Sequence, residues 1–132
     1  MNIFKKKFPY IHQLDAMQCG VACLQMICRF WGRKYTITEL EKICPPTKEG
    51  VSLLALSKSA EQLGFRQLCG RFSIDDLPNL ALPCILHWEQ SHFVVLYEVK
   101  SKRKGTSYRI ADPNKGLLCY GGEEMQKHWV SI

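Results

Sequence analysis

The sequence predicts an α+β domain, with a helical first half packed on an antiparallel sheet formed by the second. Three observations carry this. Residues 19 to 64 hold segments with apolar residues at helical spacing, each with its own start or stop signal. Residues 65 to 111 hold short runs rich in β-branched and aromatic residues. The two kinds of segment follow one another without alternating, which argues against a parallel βαβ array.

The first helix is expected from Cys19 to about Phe30, where Leu24, Ile27, Cys28 and Trp31 follow the i, i+3, i+4, i+7 pattern and Gly32 supplies the stop. Thr36, followed three residues later by Glu39, reads as a capping box for a short helix that ends before Pro45-Pro46. Ser52 caps a third helix that runs to about Leu63 and stops at Gly64. Strands are expected at Phe65 to Phe72, Cys84 to Trp88, Phe93 to Val99 and Ser107 to Ala111, with a brief helical turn at Ile74 to Leu77. No repeat, linker or low-complexity segment divides the chain, so residues 1 to 132 are read as one domain.

A 132-residue chain with 46% hydrophobic content can bury a core, which excludes a disordered reading. Its longest apolar runs, such as Val94 to Tyr97, fall short of the roughly 20 residues of a membrane span. The first residues lack the uninterrupted apolar stretch of a secretory signal, so the seven cysteines are expected to be free thiols, most of them small core residues. The chain carries a net charge of +6, with clusters at Lys5 to Lys7 and at Lys100, Lys102, Arg103 and Lys104. No aromatic residues interleave either cluster, so both read as solvated surface and a charged hairpin tip rather than a nucleic-acid interface. No C-x-x-C pair is present and His87 to His92 is a spacing that mixes strand faces, so a metal site is not expected.

The two strands around the basic tip give the sharpest geometric expectation. With Lys100 to Gly105 as the loop and Lys102 at its centre, Val94 faces Ile110, Leu96 faces Tyr108 and His92 faces Asp112. A one-residue slip would turn one partner away. Taken singly, His92 reads as a strand cap and Asp112 as the start of a turn with Pro113. Together, and with a cysteine upstream, they read as an imidazole oriented by a carboxylate. His12, His87 and His128 have no carboxylate placed opposite them.

Cys19 opens the first helix, where unpaired N–H groups and the positive end of the macrodipole stabilise a thiolate. Gly20 removes side-chain bulk beside the sulfur and is the candidate substrate-binding position, where a peptide backbone could approach closely. Gln13, six residues before Cys19, could pair its amide with the Cys19 backbone N–H to stabilise an oxyanion. By position alone a glutamine there is more often ordinary surface. The remaining cysteines read as packing residues.

The segment from Gln13 through Gln18-Cys19-Gly20 to Leu24 resembles the cysteine motif of the C39 peptidases, the peptidase domains of ABC transporters that mature and export bacteriocins and peptide pheromones. His87 to Leu96 resembles that family's histidine motif, and Tyr108 to Pro113 its aspartate motif. The resemblance implies a papain-like cysteine peptidase fold with Cys19 as nucleophile, His92 as general base, Asp112 as orienting acid and Gln13 as the oxyanion-hole side chain. It implies a precursor peptide cut after a Gly-Gly leader, since a narrow cleft excludes side chains at those positions. It further implies that this is the N-terminal module of a longer transporter on the cytoplasmic side of the cell membrane, with transmembrane and nucleotide-binding domains as partners. No cofactor is implied for this chain; ATP belongs to an ATPase domain outside it. Gln18 stands where many members carry an acid. The alternative is a catalytically silent domain that docks export cargo, a fate that the intact Cys19 argues against. A thiol redox or metal module is a distant third reading.

Overall fold

The computed structural model describes residues 8–47, 50–65, 73–88 and 92–128. After a 3-10 turn at Ala16–Gln18, the chain forms helices α1 (Cys19–Phe30), α2 (Ile37–Ile43) and α3 (Leu53–Gln62). A second 3-10 segment, Ile74–Asn79, leads to strands β1 (Cys84–Trp88), β2 (His92–Lys102), β3 (Gly105–Asp112) and β4 (Gly116–Gly121), and helix α4 (Gly122–His128) follows. The strands form one antiparallel sheet in the order β1-β2-β3-β4.

Local chemistry sets the helix ends. The Thr36 hydroxyl accepts from the Glu39 N–H while the Glu39 carboxylate accepts from the Thr36 N–H, which closes both sides of the capping box. The Ser52 hydroxyl accepts from the Ala55 N–H at 3.0 Å. Gly32 and Gly64, with φ of +83° and +93°, end α1 and α3 in the left-handed conformation that a side chain resists.

The apolar surface divides over the two faces of the sheet. On one, α1 lies against Phe93, Val95 and Ala111, with α2 and α3 contributing Leu40 and Leu56. On the other, Leu86, Trp88, Val94, Leu96, Tyr108 and Ile110 are covered by Leu77 and by Met125 of α4. Each fully buried Leu or Ile stabilises the fold by roughly 1.5–3 kcal/mol relative to exposure, so this double-sided core fixes where the sheet lies against α1. Helix α1 is more enclosed than its sequence stripe suggests: Cys19 through Cys28 are all buried. Trp31, expected to continue that stripe, lies past the helix end and is 58% exposed.

Four further expectations are corrected or extended. The basic tip is exposed, but its turn is only Arg103 and Lys104, because Lys102 already pairs with Gly105. The turn centre therefore lies beyond Lys102, and a bulge between Leu96 and Glu98 takes up one extra residue, so Leu96 faces Ile110 and Val99 faces Tyr108. Strand β4 and helix α4 escaped the sequence reading, since Gly116-Leu-Leu-Cys-Tyr-Gly121 has glycines at both ends and no β-branched residue. Of the strand expected at Phe65 to Phe72, Phe65 is not in a strand and the rest lies outside the described residues. Lys5 to Lys7, Cys69 and the segment beyond His128 also lie outside them.

The six described cysteines are free thiols. Cys119 is exposed rather than buried, because it stands on the edge strand β4, opposite exposed Arg109 and on the same face as exposed Leu117. Among the described residues no helix is long and apolar enough to cross a membrane.

Candidate active site

Cys19 enters α1 from a turn stitched by Asp15. The Asp15 carboxylate accepts from the Met17 N–H at 2.9 Å and its backbone carbonyl from the Gln18 N–H at 3.1 Å. This short 3-10 turn delivers Cys19 to the first position of the α-helix proper, and the residue is 3% exposed. The opposite wall is the open end of the β2–β3 pair, where β2 begins at His92 and β3 ends at Asp112.

His92 Nε2 lies 2.7 Å from Asp112 Oδ1. The carboxylate is almost fully enclosed, with 2% of its side chain exposed, while the imidazole keeps 25%. Asp112 Oδ1 also accepts from the Asn114 N–H at 2.9 Å, and the Asp112 carbonyl takes the Tyr10 hydroxyl at 2.7 Å. Burial pushes the Asp112 carboxyl up, but the bonds to His92, Asn114 and Lys115 and the His92 charge hold it below its usual range. Burial likewise disfavours a charged His92; the hydrogen bonds and charges of Asp112 and Cys19 prevail and raise its pKa to about 9. The ring is thus hydrogen-bonded to both Asp112 and Cys19. With Nε2 held by the carboxylate, Nδ1 is the ring nitrogen left for the sulfur.

Among the described residues the other thiols lack such a partner set. Burial, then the charges of Cys19 and Asp112, pushes Cys23 well above an ordinary thiol, and burial raises Cys28 and Cys44 and takes Cys84 to about 12. The other histidines are engaged elsewhere: His87 stacks on Phe93, His128 on Trp88 and Tyr120, and His12 lies in an exposed segment near the Tyr10 hydroxyl.

Gln13 is not ordinary surface; it is 8% exposed. Its backbone N–H donates to the Pro113 carbonyl at 2.8 Å, which fastens it beside the turn that follows Asp112. One of its two amide N–H donors goes to the Asp15 carbonyl at 3.0 Å, and its Oε1 is buried without a hydrogen-bond partner. Gly20 faces the interior instead of a cleft. A Cβ there would stand 3.2 Å from Leu56 Cδ1 and 3.4 Å from Phe93 Cδ2, so the missing side chain lets α1 close against α3 and β2.

Sequence reasoning passed over Tyr10, Asn114 and Asp15. Asp112-Pro113-Asn114 carries a legible signal, an aspartate able to bond the N–H two residues on. Tyr10 has none, because its partner lies 102 positions away.

The Peptidase C39 family model matches residues 7–132. The probable microcin-H47 secretion/processing ATP-binding protein MchF of Escherichia coli is 37% identical over 129 residues, which are 98% of this chain and 18% of that protein. The transport/processing ATP-binding protein ComA of Streptococcus pneumoniae is 32% identical over 130 residues, 96% of this chain and 18% of that protein. The chain therefore spans about a fifth of the length of these relatives. Among solved structures, a double glycine motif protease from an AMS/PCAT transporter, in complex with the leader peptide, superposes with a TM-score of 0.85 at 29% identity, covering 95% of this chain and 87% of that one. The peptidase domain of Streptococcus ComA has the same fold, with a TM-score of 0.80 at 24% identity over 95% of this chain and 94% of that one.

Proposed function

The chain belongs to the peptidase C39 family, and from that premise we propose that it is a cysteine endopeptidase that removes a leader from a precursor peptide by cutting after a Gly-Gly pair. The observation that carries the reading is the series of Cys19, His92 and Asp112, with His92 Nε2 at 2.7 Å from Asp112 Oδ1 and the imidazole also hydrogen-bonded to Cys19. A raised His92 pKa favours the imidazolium, the proton donor that the leaving amine needs.

In this mechanism the Cys19 sulfur attacks the carbonyl carbon of the second glycine. The oxyanion that forms is met by the Cys19 backbone N–H and by the second amide N–H of Gln13, the first being occupied by the Asp15 carbonyl. His92 then passes a proton to the leaving amine, and the leader remains as a thioester on Cys19. Water, giving its proton to His92, releases it. Asp112 keeps the ring's orientation and its charge throughout.

The curated relatives are secretion, transport and processing proteins several times longer than this chain. Their names support a module that works alongside transmembrane and nucleotide-binding domains, on the cytoplasmic face of a membrane, with a bacteriocin-like or pheromone precursor as its substrate.

The test is a peptide whose leader ends in Gly-Gly. Cleavage is expected after the second glycine, with turnover abolished by Cys19→Ala and blocked by valine at the second glycine. Cleavage that survives Cys19→Ala defeats the proposal, whereas binding of the leader without cleavage by the unaltered chain marks a docking domain instead.

A further inference from the structure

The side chain next to the nucleophile has a definable task. We propose that Gln18 is a positioning residue that holds Gln13 at a fixed distance from Cys19; this rests on the peptidase reading above. Gln18 Oε1 accepts from the Leu14 N–H at 3.0 Å. That single bond joins the peptide unit directly after Gln13 to the residue directly before Cys19. It closes the loop that carries both the oxyanion donor and the sulfur.

Leu14 is 84% exposed and Met17 42%, so these two side chains do little to anchor the loop between Gln13 and Cys19. Among the described residues the hydrogen bonds that hold it are Gln13 N–H to the Pro113 carbonyl, the Gln13 amide and the Gln18 N–H to the Asp15 carbonyl, Leu14 N–H to Gln18, and Met17 N–H to the Asp15 carboxylate. The first three fix the two ends of the loop and its middle. Among the described residues the Gln18 side chain is what ties the Leu14 peptide unit to the residue before Cys19, and its loss removes one of the bonds that keep Gln13 and Cys19 in register. Gln13 keeps its bonds to the Pro113 and Asp15 carbonyls, so the loss of Gln18 shifts the Gln13 amide rather than releasing it. A donor displaced by a fraction of an ångström stabilises an oxyanion less while leaving ground-state binding intact.

The experiment compares the unaltered chain with Gln18→Ala, Gln18→Leu, Gln18→Glu, Gln13→Ala and the Gln13→Ala/Gln18→Ala pair on a Gly-Gly leader peptide. Gln18→Ala and Gln18→Leu are expected to lower kcat about tenfold with KM changed less than about twofold, a partial version of the loss that follows removal of one oxyanion donor. Gln18→Glu, which keeps an acceptor oxygen, is expected to stay within about threefold of the unaltered chain. In the Gln13→Ala background, Gln18→Ala is expected to change kcat less than about twofold, because the group it positions has gone. A full tenfold loss in that background, or a Gln18→Leu variant as active as the unaltered chain, overturns the inference. Both outcomes leave the peptidase reading standing as long as Cys19→Ala is inactive; an unaltered chain that does not cleave removes that reading first.

Discussion

His92 and Asp112 meet at 2.7 Å although the sheet does not place them face to face. The β2–β3 register pairs Val95 with Ala111 and Leu96 with Ile110. Its continuation sets Val94 opposite Asp112 and leaves His92 one diagonal step away, within reach of an imidazole. Because the offset from a directly opposed pair is two residues, the strand alternation is preserved and both side chains still project to one side.

That bond makes Asp112→Asn the most direct probe of the site. An asparagine retains the volume and an acceptor but removes the charge that helps raise His92. We expect the His92 pKa, followed by NMR of its ring, to fall from about 9 and kcat to drop at least about tenfold, with the fold retained. A variant that keeps the unaltered titration would show that the carboxylate charge is not what sustains the imidazolium.

The same pair sets a pH window for stability. His92 is raised from 6.5 to about 9, so its contribution is complete below about 6.5 and disappears as pH climbs through about 9. Asp112 is lowered from 3.8, so its contribution is complete above about 3.8 and is lost as pH falls through its depressed value. Urea midpoints are expected to be highest between about pH 4 and 6.5 and to decline toward pH 9. His92→Gln, which has no titrating ring, should flatten that alkaline decline; an undiminished decline would assign it to other groups.

Gly20 is predicted to be intolerant of bulk for reasons of packing. A Cβ already stands 3.2 Å from Leu56, and the two γ-methyls of a valine reach further into the same contact. Gly20→Val should cost about 1–3 kcal/mol of stability, as overpacked core substitutions do, and should slow turnover through displacement of its neighbour Cys19. A melting temperature equal to that of the unaltered chain would mean that α1 can move away from Leu56 without loss.

The helices and their ends were written locally. Thr36 with Glu39, Ser52, Gly32 and Gly64 act within four residues of themselves, so their capping and stop signals can be read without knowing the fold. The order of helices before strands gave the α+β class, and Cys19, Gln13, His92 and Asp112 were legible as candidates from residue type, spacing and resemblance. What tertiary structure decided was relative placement. The true hairpin centre and the bulge after Leu96 depend on which side chains the two sheet faces bury, a condition that no short window contains. Whether Gly20 looks into a cleft or a core depends on Leu56 and Phe93, which come from other elements. The Tyr10 bond to Asp112 and the burial of Gln13 likewise join residues about a hundred positions apart. Local hydrogen bonding is encoded where it acts, whereas burial is a property of surfaces brought together by the whole chain.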